Sequence, residues 1–145
     1  MKFVAAVDFS EISSDILRHA ERLARSTSGE LFLLHCTEPD PYFVGYGAGP
    51  DSVRHQVARK FREERRRLQA EADRIRRTGL KVTALVIQGT AVETILDEVE
   101  RLHADMIIIG SHGHGAVYDI LVGSVGEGIL KKSPVPVLVV PGHRK

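Results

Sequence analysis

The stretch MIIIGSHGHGAVYDILVGSV, residues 106–125, joins the most strand-like run of the chain to a segment rich in glycine. Its first four residues are apolar without alternation, which is typical of a strand buried on both faces. Four glycines and two histidines follow, and Ser124 comes directly after the last of these glycines. Closely spaced glycines let backbone N–H groups approach an anion. The stretch therefore predicts a buried strand followed by a simple turn, a metal site or a phosphate cradle.

The rest of the chain repeats this alternation of apolar runs with helical patterns. Because the apolar runs lack the in–out alternation of a half-exposed sheet, they predict a parallel sheet covered by helices on both faces. The pattern is that of one doubly wound α/β domain, an open sheet of five strands with four helices. The predicted strands are residues 3–7, 31–36, 82–87, 106–109 and 137–140.

Capping residues and turn formers set the predicted ends of the helices. Ser10 is the predicted N-cap of the first helix and Gly29 its stop. The second helix runs for about seven turns and ends at Gly79, and a short fourth helix covers Ser124–Lys132. Prolines and glycines make residues 37–50 a long predicted loop. The apolar stripe of the second helix consists of Val57, Phe61, Leu68, Ala72 and Ile75.

Length and composition suit a single domain over residues 1–145, with 43% apolar and 27% charged residues and a net charge of +1. Cys36 is the only cysteine, so no disulfide forms within the chain and a reducing, cytoplasmic location is expected. We expect no membrane span. Residues 51–78 hold ten Lys/Arg against five Asp/Glu. Because the acids are interspersed and no aromatic series accompanies them, we expect a solvated helix face and no nucleic-acid partner.

Two known phosphate loops fail against the glycine stretch. Gly110 and Gly115 have the P-loop spacing, but Ala116-Val117 stands where a lysine and a hydroxyl are required. Tyr118 stands where the dinucleotide fingerprint needs its third glycine. The chain is therefore predicted to be neither a P-loop NTPase nor an NAD enzyme with that fingerprint.

Other readings of the candidate residues stay open or are set aside. His112 and His114 lack the further Cys or carboxylate ligands of a metal site, so no dedicated protein metal site is expected. His35 lies in an apolar strand and is a packed core residue or a strand-end contact. Asp8 and Ser124 each fit a turn or cap as well as a ligand contact. With no nucleophile elbow, paired carboxylates or P-loop lysine, we predict no efficient enzymatic turnover.

The spacing Gly110-x2-Gly113-x9-Gly123-Ser124 resembles the signature of the ATP-binding branch of the universal stress proteins. The similarity extends over nearly the whole chain. It includes VDFSE at 7–11, LLHC at 33–36, IIIGSHG at 107–113, LVGSV at 121–125 and PVLVV at 136–140.

This resemblance implies an open sheet of strand order 3-2-1-4-5, similar to the adenine-nucleotide alpha-hydrolase-like folds. It implies that Asp8 contacts the adenosine portion of ATP and that the backbone at Cys36 contacts adenine. One departure is Gly126, where relatives commonly carry a hydroxyl or another side chain. Because glycine has no side chain, a possible phosphate contact is missing here. Ribose and phosphates would be held by Ile109, Gly110, His112, Gly113, Gly123, Ser124 and Val125.

The function that follows from the resemblance is that of a cytoplasmic stress-response regulator that binds ATP. Magnesium or manganese would be bound by the phosphates of ATP. A homodimer is expected to form through the fifth strand at the sheet edge, which Pro134, Pro136 and Pro141 constrain without preventing pairing. Two alternatives remain, namely a nucleotide-independent dimeric interaction protein of the same fold and a weak ATPase.

Overall fold

Strands and helices alternate as predicted in the computed structural model, which describes residues 1–38, 51–113 and 122–142, with the backbone alone for 51–54. Most of the predicted loop of residues 37–50 falls outside these ranges. In chain order the elements are β1 (Lys2–Ala6), α1 (Ser13–Thr27), β2 (Glu30–Thr37), α2 (Asp51–Arg76), β3 (Lys81–Gln88), α3 (Ala91–Leu102), β4 (Met106–Gly110), α4 (Ser124–Lys132) and β5 (Val137–Val140).

The five strands form one parallel sheet in the order β3-β2-β1-β4-β5, which confirms the predicted topology. β1 pairs with β2 from Lys2 opposite Glu30, and with β4 from Phe3 opposite Met106. The chain thus winds outward in opposite directions from β1. Ligands of such sheets bind beyond the carboxyl ends of the strands at this switch point, which places the ends of β1 and β4 side by side.

Helices cover both faces of the sheet and divide its apolar residues into two cores. One core packs Ile16 of α1 and Leu68 of α2 against the sheet, and the other packs Ile95 of α3 and Ile129 of α4 against the opposite face. β4 contributes Ile108 to the first core and the residues on either side of it to the second. Burying each such side chain stabilises the fold by roughly 1.5–3 kcal/mol.

Several predicted helix features were wrong. Ser10 is not an N-cap, because its amide bonds back to Asp8 and α1 begins only after Ile12. Ser28, not Gly29, takes the left-handed conformation after α1. Gly29 is needed for another reason, since a Cβ there would lie 2.7 Å from the carbonyl oxygen of Met1. Val57 of the predicted stripe is 39% exposed, whereas the later stripe residues are buried or half-buried.

Candidate functional site

A cleft of about 650 Å³ opens at the switch point, beyond the carboxyl ends of β1 and β4. The nine residues predicted to hold a nucleotide all line it. The structure therefore brings them together, and their contact with a nucleotide stays a prediction. The lining includes Asp8, Cys36, Ile109, Gly110, His112, Gly113, Gly123, Ser124 and Val125.

Asp8 is held by the turn that follows β1. Its Oδ1 accepts a hydrogen bond from the amide of Ser10 at 3.0 Å and a longer one from Oγ of Ser13 at 3.4 Å. Phe9 between them has a left-handed φ of 61°, which a bulky side chain rarely adopts. Asp8 thus serves the turn and lines the cleft at the same time, so the two readings of this residue are compatible.

The first two glycines of the signature lie where a Cβ would crowd neighbouring side chains. A Cβ on Gly110 would lie 3.0 Å from Cγ2 of Ile12 and 3.1 Å from Cδ1 of Ile16, both in α1 or its N-cap. A Cβ on Gly113 would overlap Oδ2 of Asp8. Their spacing therefore reflects close packing within the protein, in addition to any approach of a ligand.

The second half of the signature is the start of α4. Gly123, not Ser124, occupies the N-cap position, and no side chain caps the helix. The predicted capping role of Ser124 was therefore wrong, since the helix already includes this residue. The amides of Ser124, Val125 and Gly126 precede the first intrahelical hydrogen bond, from Glu127 to Gly123 at 2.9 Å. These amides and the positive end of the helix dipole suit an anion in the cleft.

Ser111 links the two halves and was not predicted as a site residue. Its carbonyl accepts the amide of Gly123 at 2.7 Å, and its own amide donates to Val140 at 2.8 Å. Its Oγ accepts the amide of Gly142 at 2.8 Å and bonds Nδ1 of His112 at 2.9 Å. The side chain is buried at 6% exposure. Its place between Gly110 and Gly113 was the available signal, but its distant partners are brought close only by folding.

Gly126 lines the cleft and is buried. A Cβ at this position would overlap Cγ1 of Val122 and lie 3.6 Å from Cδ1 of Ile109. The space that a side chain of residue 126 would enter is thus occupied by Val122. Only the backbone of residue 126 is available to a ligand, as expected from the sequence.

Cys36 stands on the opposite side of the cleft, at the end of β2. Burial, with smaller contributions from the carboxylates of Glu38 and Glu98, raises the pKa of its thiol to about 11. The thiol is therefore protonated at neutral pH and is a weak nucleophile. Glu38 also lines the cleft and was missed, although it comes only two residues after Cys36 at a strand end.

The described lining contains Asp8 and Glu38 but neither Lys nor Arg. Backbone amides, the hydroxyls of Ser111 and Ser124 and the imidazole of His112 are therefore the groups of this lining that can meet an anion. Within residues 1–38, 51–113 and 122–142, no three His, Cys, Asp or Glu side chains are grouped as a metal site requires. His114 of the histidine pair lies outside these ranges. In the same part of the chain, no helix is long and apolar enough to cross a bilayer.

A profile of the universal stress protein family matches residues 1–141. The chain belongs to the universal stress protein family. Universal stress protein MJ0577 of Methanocaldococcus jannaschii is 28% identical to it over 151 residues, covering 96% of this chain and 93% of that protein. The solved structure of MJ0577 superimposes with a TM-score of 0.83 at 29% identity, covering 99% of this chain and 97% of that one.

Two more distant structures of the family contain adenine nucleotides. A universal stress protein from Archaeoglobus fulgidus, in complex with dAMP, has a TM-score of 0.65 at 21% identity, covering 97% of both chains. Another, in complex with cAMP, has a TM-score of 0.64 at 19% identity, covering 97% of this chain and 95% of that one. At these identities the likeness establishes the shared fold.

Proposed function

We propose that this universal stress protein binds an adenine nucleotide, with ATP as the expected ligand, in the cleft beyond β1 and β4. The observation that carries the proposal is the start of α4, where three amides without intrahelical partners line the same cleft as Asp8 and Cys36. Such a terminus suits phosphate. The complexes of distant relatives with dAMP and cAMP support the choice of adenine.

The roles of the lining residues follow from their places around the cleft. Asp8 would contact the adenosine portion and the backbone at Cys36 the adenine ring. Because the described lining carries no Lys or Arg, a triphosphate needs a divalent cation to offset its charge, and magnesium or manganese on the phosphates would supply it. Ribose and phosphates would be held by Ile109, Gly110, His112, Gly113, Gly123, Ser124 and Val125.

We further propose that the nucleotide governs a role in stress response, carried by a single domain over residues 1–145 in the cytoplasm. The protein would act as a homodimer that pairs through β5, the strand at the sheet edge. Light scattering on the purified protein at micromolar concentration tests the dimer. A monomer under these conditions contradicts it.

The nucleotide proposal is tested by chromatography of material released on denaturing freshly purified protein, followed by calorimetric titration with ATP and magnesium. We expect Gly123→Val to abolish binding, because its branched side chain crowds the start of α4, and to leave dimerisation intact. Gly123→Ala is the matched control for folding, since its methyl group meets nothing closer than 3.5 Å. Absence of binding by the unaltered protein at millimolar ATP would contradict the proposal.

A second function is favoured by the composition of the cleft. Its described lining has two carboxylates and no Lys or Arg, and Gly126 offers no hydroxyl to a phosphate. A nucleotide-independent interaction protein of the same fold would need neither. This alternative predicts that Gly123→Val changes no property of the protein that depends on its dimer surfaces or partners.

A further inference from the structure

A buried histidine lies directly behind the cleft, on the face of β2 opposite Cys36. His35 is 7% exposed, and both of its ring nitrogens have partners. Nδ1 lies 2.8 Å from the carbonyl oxygen of Val7, the residue before Asp8. Nε2 lies 2.9 Å from Oε2 of Glu64 in α2. The ring therefore joins the ends of β1 and β2 to the helix that packs on them.

The hydrogen bonds of this ring require a proton beyond those of a neutral imidazole and a carboxylate. Because a carbonyl oxygen only accepts, Nδ1 must carry a hydrogen. A neutral ring would then present the lone pair of Nε2 to an ionised Glu64. A proton between Nε2 and Oε2 turns this repulsion into a charge-assisted hydrogen bond. Oε2 also accepts the hydroxyl of Thr37 at 2.7 Å, which holds the carboxylate at the end of β2.

The same ring is covered by the turn that carries Asp8. Phe9 packs against His35 with ring centroids 4.6 Å apart and ring planes tilted by 42°, and the guanidinium of Arg67 lies 4.2 Å from the centre of the Phe9 ring. A left-handed phenylalanine persists only where its surroundings hold it there. Contacts with His35 and Arg67 do so here. The ring thus fixes the residues on both sides of Asp8.

The charged groups around the pair come mainly from α2. Lys60 Nζ lies 3.9 Å from Oε1 of Glu64, and Arg67 contacts the Phe9 ring that packs against His35. β1 contributes the carbonyl of Val7, with Asp8 next in the chain, and β3 places the apolar Val86 opposite His35. On β2, Cys36 lies on the other face of the sheet. Among the described residues, Glu64 is therefore the only titratable group that hydrogen-bonds the ring.

We propose that His35 and Glu64 are positioning residues for the cleft, and that the proton they share makes nucleotide binding sensitive to pH. When the proton is present, the pair clamps α2 onto the ends of β1 and β2 and holds Asp8 and Cys36 in place. When it leaves, the clamp loosens and affinity falls. This inference rests on the proposed nucleotide function.

The decisive variant is Glu64→Gln. Its amide nitrogen, in the place of Oε2, can donate one hydrogen to Nε2 of a neutral His35 and the other to the hydroxyl oxygen of Thr37, so both contacts persist without the extra proton. We expect the affinity of the unaltered protein for ATP with magnesium to fall about tenfold from pH ~6 to pH ~8.5, the loss of one charge-assisted hydrogen bond. The titration of ATP itself affects both proteins alike. The ratio of the two affinities at each pH therefore isolates the effect of the shared proton.

Two further variants separate position from charge. Glu63→Gln removes the same charge one residue away, at an exposed position of α2, and should retain the full pH dependence. Glu64→Ala should bind weakly at every pH, whereas Glu64→Gln should match the low-pH affinity of the unaltered protein throughout. Equal pH profiles for the unaltered protein, Glu63→Gln and Glu64→Gln would overturn the proposal.

A readout without nucleotide keeps the two proposals distinguishable. Nitrogen chemical shifts of His35 should show that the unaltered protein loses a proton that Glu64→Gln never holds. The rate at which iodoacetamide alkylates Cys36, relative to Glu64→Gln, should rise with pH as the clamp loosens. A protein that fails to bind ATP but shows both effects contradicts the proposed function alone. A constant alkylation ratio with identical His35 titrations contradicts the clamp.

Discussion

The two sides of the cleft are built in different ways. One side, here called the side-chain wall, consists of Asp8, Cys36 and Glu38 at the ends of β1 and β2, and is held from behind by His35 and α2. The other, the backbone wall, consists of residues 109–113 and 123–126, where glycines and amides meet the cleft. The first depends on titratable groups brought together by folding, and the second on the absence of side chains. Each wall should therefore respond to a different perturbation.

The largest expected effect concerns titration on the side-chain wall. Since the pKa of Cys36 is raised from 9.0 to about 11, the folded protein should hold roughly a hundredfold less thiolate at pH ~8 than the unfolded chain. Iodoacetamide should alkylate it correspondingly slowly, and the rate should increase as the pH approaches 11. Mass spectrometry of the folded and urea-unfolded protein measures this ratio. Equal rates in the two states contradict the prediction.

The same thiol links pH to stability with a definite sign. Because the folded state keeps the proton that the unfolded chain releases above about pH 9, the contribution of Cys36 to the free energy of unfolding is complete below that pH. It is lost as pH rises through about 11.

Glu98→Gln should lower the pKa of the thiol modestly. Glu100→Gln, at an exposed position of the same helix, is the matched control and should leave the alkylation rate unchanged.

The next effect concerns packing behind the backbone wall. Gly110→Ala places a methyl group 3.0–3.1 Å from Ile12 and Ile16, which are both buried. Overpacking of this kind costs about 1–3 kcal/mol of unfolding free energy. Gly123→Ala adds the same atoms where the nearest neighbour is 3.5 Å away, so its loss should not exceed about 1 kcal/mol, the effect of alanine at the N-cap of α4. Urea unfolding of both variants measures the difference, and equal losses would show that Gly110 is not held by α1.

The different construction of the two walls explains how much of the site the sequence could predict. The backbone wall leaves a local record, because Gly110 and Gly113 stand where a Cβ would crowd neighbouring side chains, and their spacing from Gly123 is visible in the chain. The buried strands leave a similar record in their unbroken apolar runs. The strand order came from the family resemblance, since periodicity alone does not specify which strands are neighbours.

The side-chain wall was harder to predict because its partners are far apart in sequence. His35 was recognised as a core residue or strand-end contact, but Glu64, 29 residues later, was taken for one acid on a solvated helix face. Its position four residues before Leu68 places it beside the apolar stripe, and this was the available signal. The predicted caps at Ser10 and Ser124 failed because the first belongs to the Asp8 turn and the second lies inside α4.

The smallest expected effect concerns Arg67, which supports the side-chain wall through its contact with Phe9. Arg67→Ala removes the guanidinium that lies 4.2 Å from the centre of the Phe9 ring, and an exposed cation–π contact of this kind contributes about 0.5–1 kcal/mol. Arg66→Ala removes an equal charge from the next, exposed position of α2 and should cost less than about 0.5 kcal/mol. Urea unfolding at neutral pH compares the two. Equal free energies of unfolding for both variants would mean that Phe9 keeps its left-handed conformation through His35 alone. In that case Arg67→Lys, which retains the charge without the planar guanidinium, should also match Arg66→Ala.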